Sequence, residues 1–308
     1  MHRHHAPDPD GDARAVTGPS RRTLLQGAAV AAGAGLALTA CGGGESESRP
    51  VPAALQLSPL FPVKSPHVVA GTPTRLPFAV TNSRNVPQSL PVQQAVFNLE
   101  VDGNEVVGSV TAPVRSDGVP YPYLPATLTF PEPGVYDVVA RVGNDRLSVA
   151  VQAYDRTEVG PPQVGEALPP VDTPTTLRSL EVSPVCSHVP ACGLHEFSLA
   201  QLVGRGRPVA VVLAAPAFAT TDADRTMLDL VLEAVPQHPE VVVLHSEVYK
   251  NPKDVRRLSE AAMAPLTDAY KMKYAPALFI TNSAGILVAR ADTVVDRVEL
   301  SDLLNLAK

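Results

Sequence analysis

Tryptophan is absent from this 308-residue chain, cysteine occurs three times, and aromatic residues make up only 5% of it. So few cysteines exclude a small scaffold stapled by several disulfides. The fold must rest on aliphatic cores, and a hydrophobic share of 45% is enough to build them. The 25 basic residues face 31 acidic ones, for a formal net charge of −6, and form no cluster interleaved with aromatics, so neither nucleic acid nor an anionic membrane patch is indicated. No Gly-x-Ser-x-Gly, phosphate-binding loop, dinucleotide fingerprint or His-Glu-x-x-His occurs, which leaves hydrolase and nucleotide chemistry without a carrier. A leucine-rich run of spanning length is missing too. The apolar stretch at residues 23–40 is dominated by Ala and Gly and sits at the low edge of the roughly 17–25 residues a membrane helix needs.

What that stretch does have is an ordered set of signals. Ser20-Arg21-Arg22-Thr23-Leu24-Leu25-Gln26 precedes it, and Leu38-Thr39-Ala40-Cys41 followed by three glycines ends it. Paired arginines ahead of a short apolar region, closed by Leu-x-Ala-Cys, resemble the signal of twin-arginine-exported bacterial lipoproteins. The resemblance implies an export signal at Arg21 and Arg22, removal of residues 1–40, and acylation of Cys41. The bilayer is then a partner through that lipid, on the extracytoplasmic face of the cell membrane. Residues 41–56, rich in Gly, Ser, Glu and Pro, read as a flexible tether.

Residues 57–154 have β texture. Short alternations at residues 75–80, 95–101 and 134–142 are separated by turn signals such as Asp102-Gly103-Asn104 and Gly143-Asn144-Asp145, a spacing that predicts a β-sandwich. Phe130-Pro131-Glu132-Pro133-Gly134-Val135-Tyr136-Asp137-Val138 resembles a strand of immunoglobulin-like envelope domains, in which the tyrosine hydroxyl bonds backbone at the corner. Residues 155–180, rich in Pro, Thr and Glu, read as an interdomain linker.

From residue 181 to 308 the texture changes. A short helix with Ser198 as cap precedes a continuous apolar run, Val209-Ala210-Val211-Val212-Leu213-Ala214, of the kind a buried parallel strand needs. An amphipathic helix follows, then strand 241–245, a helical region, strands 277–280 and 286–289 around a turn at Asn282-Ser283-Ala284-Gly285, and a terminal helix. The order is βαβαββα. Gly206-Arg207-Pro208-Val209, Ala214-Ala215-Pro216-Ala217-Phe218, Lys273-Tyr274-Ala275-Pro276-Ala277 and the hairpin after it resemble segments of envelope thioredoxin-like proteins. The expected fold class is therefore multidomain, an immunoglobulin-like β-sandwich followed by an α/β thioredoxin-like fold. The resemblance implies a cis bond at Ala275-Pro276 and a groove for extended peptide built from Ala217, Phe218, Ala219, Thr220, Thr221, Ala275 and Pro276.

The departure from that family is chemical. Thiol exchange needs a thiolate at the start of the helix after the first strand, and residues 218–224 contain no cysteine. Asp222, Asp224 and Asp229 form an acidic group suited to helix amides and the helix dipole. Cysteine occurs instead in Cys186-Ser187-His188-Val189-Pro190-Ala191-Cys192-Gly193-Leu194-His195. With Cys41 taken by lipid, Cys186 and Cys192 are an even pair in an oxidising compartment, for which a disulfide is the default expectation. A soft metal site of Cys186, His188, Cys192 and His195, and a displaced redox pair, are the other readings. His245 reads as a core or strand-end histidine. The function these observations predict is a noncatalytic binding or scaffolding module for an envelope protein or peptide, without catalytic residues, cofactor or metal. The alternative is a thiol-disulfide oxidoreductase or metal carrier using Cys186 and Cys192 with His188 and His195.

Overall fold

Period-two alternation lets a strand bury one face, and the first half of the chain uses it repeatedly. A computed structural model describes residues 54–219 and 221–308; Arg21, Arg22, Cys41 and Thr220 lie outside them. β1 (Gln56–Pro59), β2 (Val68–Val69), β3 (Thr74–Thr81), β4 (Gln94–Val101), β5 (Asn104–Pro113), β6 (Leu124–Leu128), β7 (Gly134–Val142) and β8 (Asp145–Tyr154) form two sheets. One has the order β1-β3-β6. The other is mixed, with the order β2-β8-β7-β4-β5 and β2 parallel to β8. Phe78 and Leu124 of the first sheet share a core with Phe97, Leu99 and Val138 of the second. Asp102 and Gly103, both at positive φ, join β4 to β5 in a two-residue turn that places Val101 opposite Asn104. At the start of β7 the Tyr136 hydroxyl donates to the Glu132 carbonyl at 2.9 Å and accepts from the Glu132 amide at 3.2 Å.

The second half contains α1 (Leu199–Leu202), β9 (Val209–Leu213), α2 (Ala223–Ala234), β10 (Val242–Ser246), α3 (Pro265–Ala269), β11 (Ala277–Thr281), β12 (Leu287–Asp292) and α4 (Arg297–Asn305). Its mixed sheet has the order β10-β9-β11-β12, with β10 parallel to β9 and the other neighbours antiparallel. β9 is apolar at every position because both of its faces are covered. Ala210 and Val212 point toward Met227, Leu228 and Leu300 on α2 and α4. Val209, Val211 and Leu213 point toward Leu199, Tyr270 and Phe279. The Ala275–Pro276 bond is cis. Among the described residues no helix is long and apolar enough to cross a membrane.

Residues 155–180, which composition reads as a linker, pack against this second sheet. Leu168 is buried in its core. The Gly165 amide donates to Leu287 O at 2.8 Å and the Leu168 amide to Gly285 O at 2.9 Å. Val159 and Leu168 supply the segment's buried anchors. The described residues belong to one compact unit.

Candidate metal and thiol site

β10 runs from valines into a histidine. His245 pairs in register with Val212 of β9 and is 1% exposed. Its Nε2 lies 3.0 Å from the Ala214 carbonyl. A carbonyl only accepts, so Nε2 carries the proton and Nδ1 presents its lone pair. Burial lowers the His245 pKa, which keeps the ring neutral. Nδ1 faces Cys192 Sγ at 3.4 Å and His195 Nε2 at 3.1 Å.

The loop that brings the other groups here is tied to the strand ends. The His245 amide donates to Leu194 O at 3.0 Å. The Ser187 amide and hydroxyl donate to the Glu247 carboxylate at 2.6 and 3.1 Å, and the Ala217 amide donates to Ser187 Oγ at 3.3 Å. Desolvation in that pocket pushes Glu247 up to about 8. Cys186, Cys192, His195 and His245 are thereby gathered so that one donor atom of each lies within 4.8 Å of all the others.

Both cysteines are free, and their sulfurs are 3.6 Å apart, whereas a disulfide needs about 2.05 Å. The Cys186–Cys192 bridge expected from the sequence is not formed in this structure, where the two sulfurs share their space with two imidazoles. Hydrogen bonding between the two sulfurs is the largest influence on the pair: it lowers the Cys186 pKa and raises that of Cys192.

The spacings decide what four such donors can do. Around a tetrahedral cation with bonds of about 2.3 Å to sulfur and about 2.0–2.1 Å to nitrogen, donors stand about 3.8 Å (S to S), about 3.6 Å (S to N) and about 3.3 Å (N to N) apart. Cys186 Sγ–Cys192 Sγ, Cys192 Sγ–His245 Nδ1 and His245 Nδ1–His195 Nε2 are 3.6, 3.4 and 3.1 Å apart, and the remaining donor pairs lie within 4.8 Å. Two thiols and two imidazoles also match the donor preference of Zn²⁺ and Cu⁺. The Nε2 bond to Ala214 orients His245 as second-sphere bonds orient ligating histidines.

His188 is not part of this set, which corrects the grouping of Cys186, His188, Cys192 and His195. Its Nδ1 contacts Pro190 O and its Nε2 contacts Asp229 Oδ1 on α2 at 2.7 Å, so both nitrogens are taken. Asp229 serves His188 in place of helix amides. Asp224 likewise reaches backward and accepts the Ala215 amide at 2.7 Å, closing the β9–α2 loop. His245 takes the place that sequence reading gave to His188. The available signal was its position as the polar end of an otherwise apolar strand.

Of the groove residues, Phe218, Ala219, Thr221 and Ala275 meet around a cavity of about 180 Å³ floored by Asp224. Ala217 is exposed and Pro276 is buried, with its carbonyl accepting the Thr293 amide at 2.8 Å.

No protein-family model and no curated protein matches the chain. Among solved structures it is similar to MTB DsbF in its mixed oxidized and reduced forms, at 14% identity over 37% of this chain and 89% of that chain, with a TM-score of 0.28.

Proposed function

We propose that this chain is a metal-binding protein in which a thioredoxin-like module holds a soft d¹⁰ cation, Zn²⁺ or Cu⁺, between Cys186, Cys192, His195 and His245. The observation that carries the reading is the convergence of two thiols and two buried imidazoles within 4.8 Å of one another, with three of the donor pairs at spacings close to those of a tetrahedral centre. All four donors come from the protein, which suits storage, delivery or structural use of the ion better than catalysis at an open coordination position. The βαβαββα order and the strand sequence β10-β9-β11-β12 support the thioredoxin-like assignment. The Tyr136 corner supports an immunoglobulin-like module before it.

Cobalt(II) is a spectroscopic stand-in for zinc. Added to the reduced full chain, one equivalent is expected to give the intense near-ultraviolet sulfur-to-cobalt band and the visible bands of a tetrahedral site. Cys186→Ser and His245→Ala are expected to lose them. Wild-type protein that stays colourless refutes the metal reading.

The same proposal places the protein outside the cytoplasm, anchored through acylated Cys41 after export directed by Arg21 and Arg22. Its motivation is the order of those motifs in the sequence. Cys41→Ser is expected to abolish incorporation of labelled fatty acid, and continued labelling rules the anchor out.

A second reading, docking of an envelope protein or peptide beside Pro276, is favoured by the cavity lined by Phe218, Ala219, Thr221 and Ala275. Its volume holds one side chain, so a partner there is recognised by a single anchor residue. Pull-down from membranes with wild type and Phe218→Asp tests it, and equal capture by both removes it.

A further inference from the structure

We infer that the metal site is redox-gated: Cys186 and Cys192 hold the cation as thiolates and release it when they close to a disulfide. This rests on the metal reading and adds to it the event that empties the site.

The two sulfurs are already 3.6 Å apart, so joining them calls for an approach of about 1.5 Å. Motion of that size can be absorbed locally. The Cys186 side of the loop is fastened through Ser187 to Glu247, and the Cys192 side through Leu194 to His245. Val189, Pro190 and Ala191 between them are exposed, and Val189 is 77% exposed. Both cysteines are partly exposed, which gives a small disulfide access to sulfur. The histidines are buried, and His245 is held by Ala214. Oxidation therefore removes both sulfur donors and leaves two imidazoles, half of a four-coordinate set.

With zinc and a low-molecular-weight disulfide, RSSR, the step balances without electron transfer to the metal. The Cys186 thiolate attacks RSSR, forming a Cys186–SR bond and expelling one RS⁻. The Cys192 thiolate then attacks the Cys186 sulfur, forming the Cys186–Cys192 bond and expelling the second RS⁻. The protein sulfurs lose two electrons, RSSR gains them, two protons from solvent convert 2 RS⁻ into 2 RSH, and Zn²⁺ departs. A dithiol reductant reverses the sequence and restores the donors.

The test uses the full chain in detergent, loaded with one equivalent of Zn²⁺ and treated with glutathione disulfide. Released zinc is read with a chromogenic chelator and the thiols by intact mass and alkylation. The expected result is one zinc released per chain in step with loss of both thiols and formation of an intramolecular disulfide, and full reloading after reduction. In Cys192→Ser the reaction is expected to halt as a glutathione adduct on Cys186. Zinc retained by chains that have formed the disulfide, or zinc-loaded thiols that do not react with glutathione disulfide, overturns the gating while leaving the metal site intact. A reduced chain that takes up no zinc overturns both.

Discussion

At the scale of the residue, two histidines near the same loop have opposite fates because of what each nitrogen faces. His245 gives Nε2–H to a carbonyl and keeps a free lone pair in a buried position, and desolvation holds it neutral. Burial alone would lower His188 as well, but Pro190 O and Asp229 outweigh it and raise its pKa. The His188 contribution to stability is accordingly present below the ordinary imidazole pKa and lost as pH rises through the raised one. In the cobalt titration, His188→Ala is expected to keep the tetrahedral spectrum that His245→Ala loses. Its melting temperature is expected to fall further below wild type near pH 6 than near pH 8. Loss of the spectrum in His188→Ala returns His188 to the ligand set.

At the scale of the element, the β11–β12 hairpin shows how a local turn is constrained from a distance. Asn282 Oδ1 accepts the Ala284 and Ile286 amides at 3.0 and 3.1 Å, which is the chemistry that makes Asn a turn residue. Gly285 closes the turn at φ +80°, and a Cβ there would lie 2.9 Å from Gly204 N and 3.0 Å from Gly204 Cα. Both are backbone atoms, so they can yield only by moving the loop after α1. Gly285→Ala is expected to destabilise the protein by about 2–3 kcal/mol, combining left-handed strain with the clash. Gly206→Ala, at φ +90° with nothing within 4 Å of a Cβ, is expected to cost only the strain, about 1 kcal/mol. Denaturant unfolding of the two variants compares them directly, and equal losses show that Gly204 does not resist.

At the scale of the whole molecule, the two halves are joined by buried charge. Arg75 on β3 donates through Nε and Nη2 to Glu299 on α4 at 2.6 and 2.8 Å, and through Nη2 to Val294 O at 2.7 Å. Tyr123 donates to the same carboxylate and accepts the Asp296 amide. Burial alone would raise the Glu299 carboxyl, but Arg75 outweighs it, with help from Tyr123, and holds it below the usual carboxylate range. The stability from this pair is therefore complete above the ordinary carboxyl pKa and disappears as pH falls through the depressed one. Arg75→Met, which strands a buried carboxylate, is expected to cost about 3–5 kcal/mol at neutral pH. The gap to wild type is expected to narrow as the solution is acidified below about pH 4. A gap that stays constant across the acid range shows that Glu299 does not titrate with the pair.

Local chemistry determined much of this protein in advance. Alternation placed β3, β4 and β7, the Asp102-Gly103 turn placed β4 against β5, continuous apolarity marked β9 as covered on both faces, and the βαβαββα order followed from periodicity and turn residues. Two of the four donors were legible as the cysteine pair and a third as His195, because they share one short segment. What joins them to His245 is the parallel pairing of β10 with β9, which sets the strand end beside the loop. The exclusion of His188 likewise depends on Asp229, which α2 carries to it. The packing of residues 155–180 and the Arg75–Glu299 bond also had no signature in the chain, since a proline-rich segment reads the same whether solvated or docked, and a charged residue the same whether free or paired. Sequence patterns report the faces and periods of single elements. Which polar groups meet across elements is decided by tertiary packing, where desolvation makes a buried donor or charge costly until a partner is found.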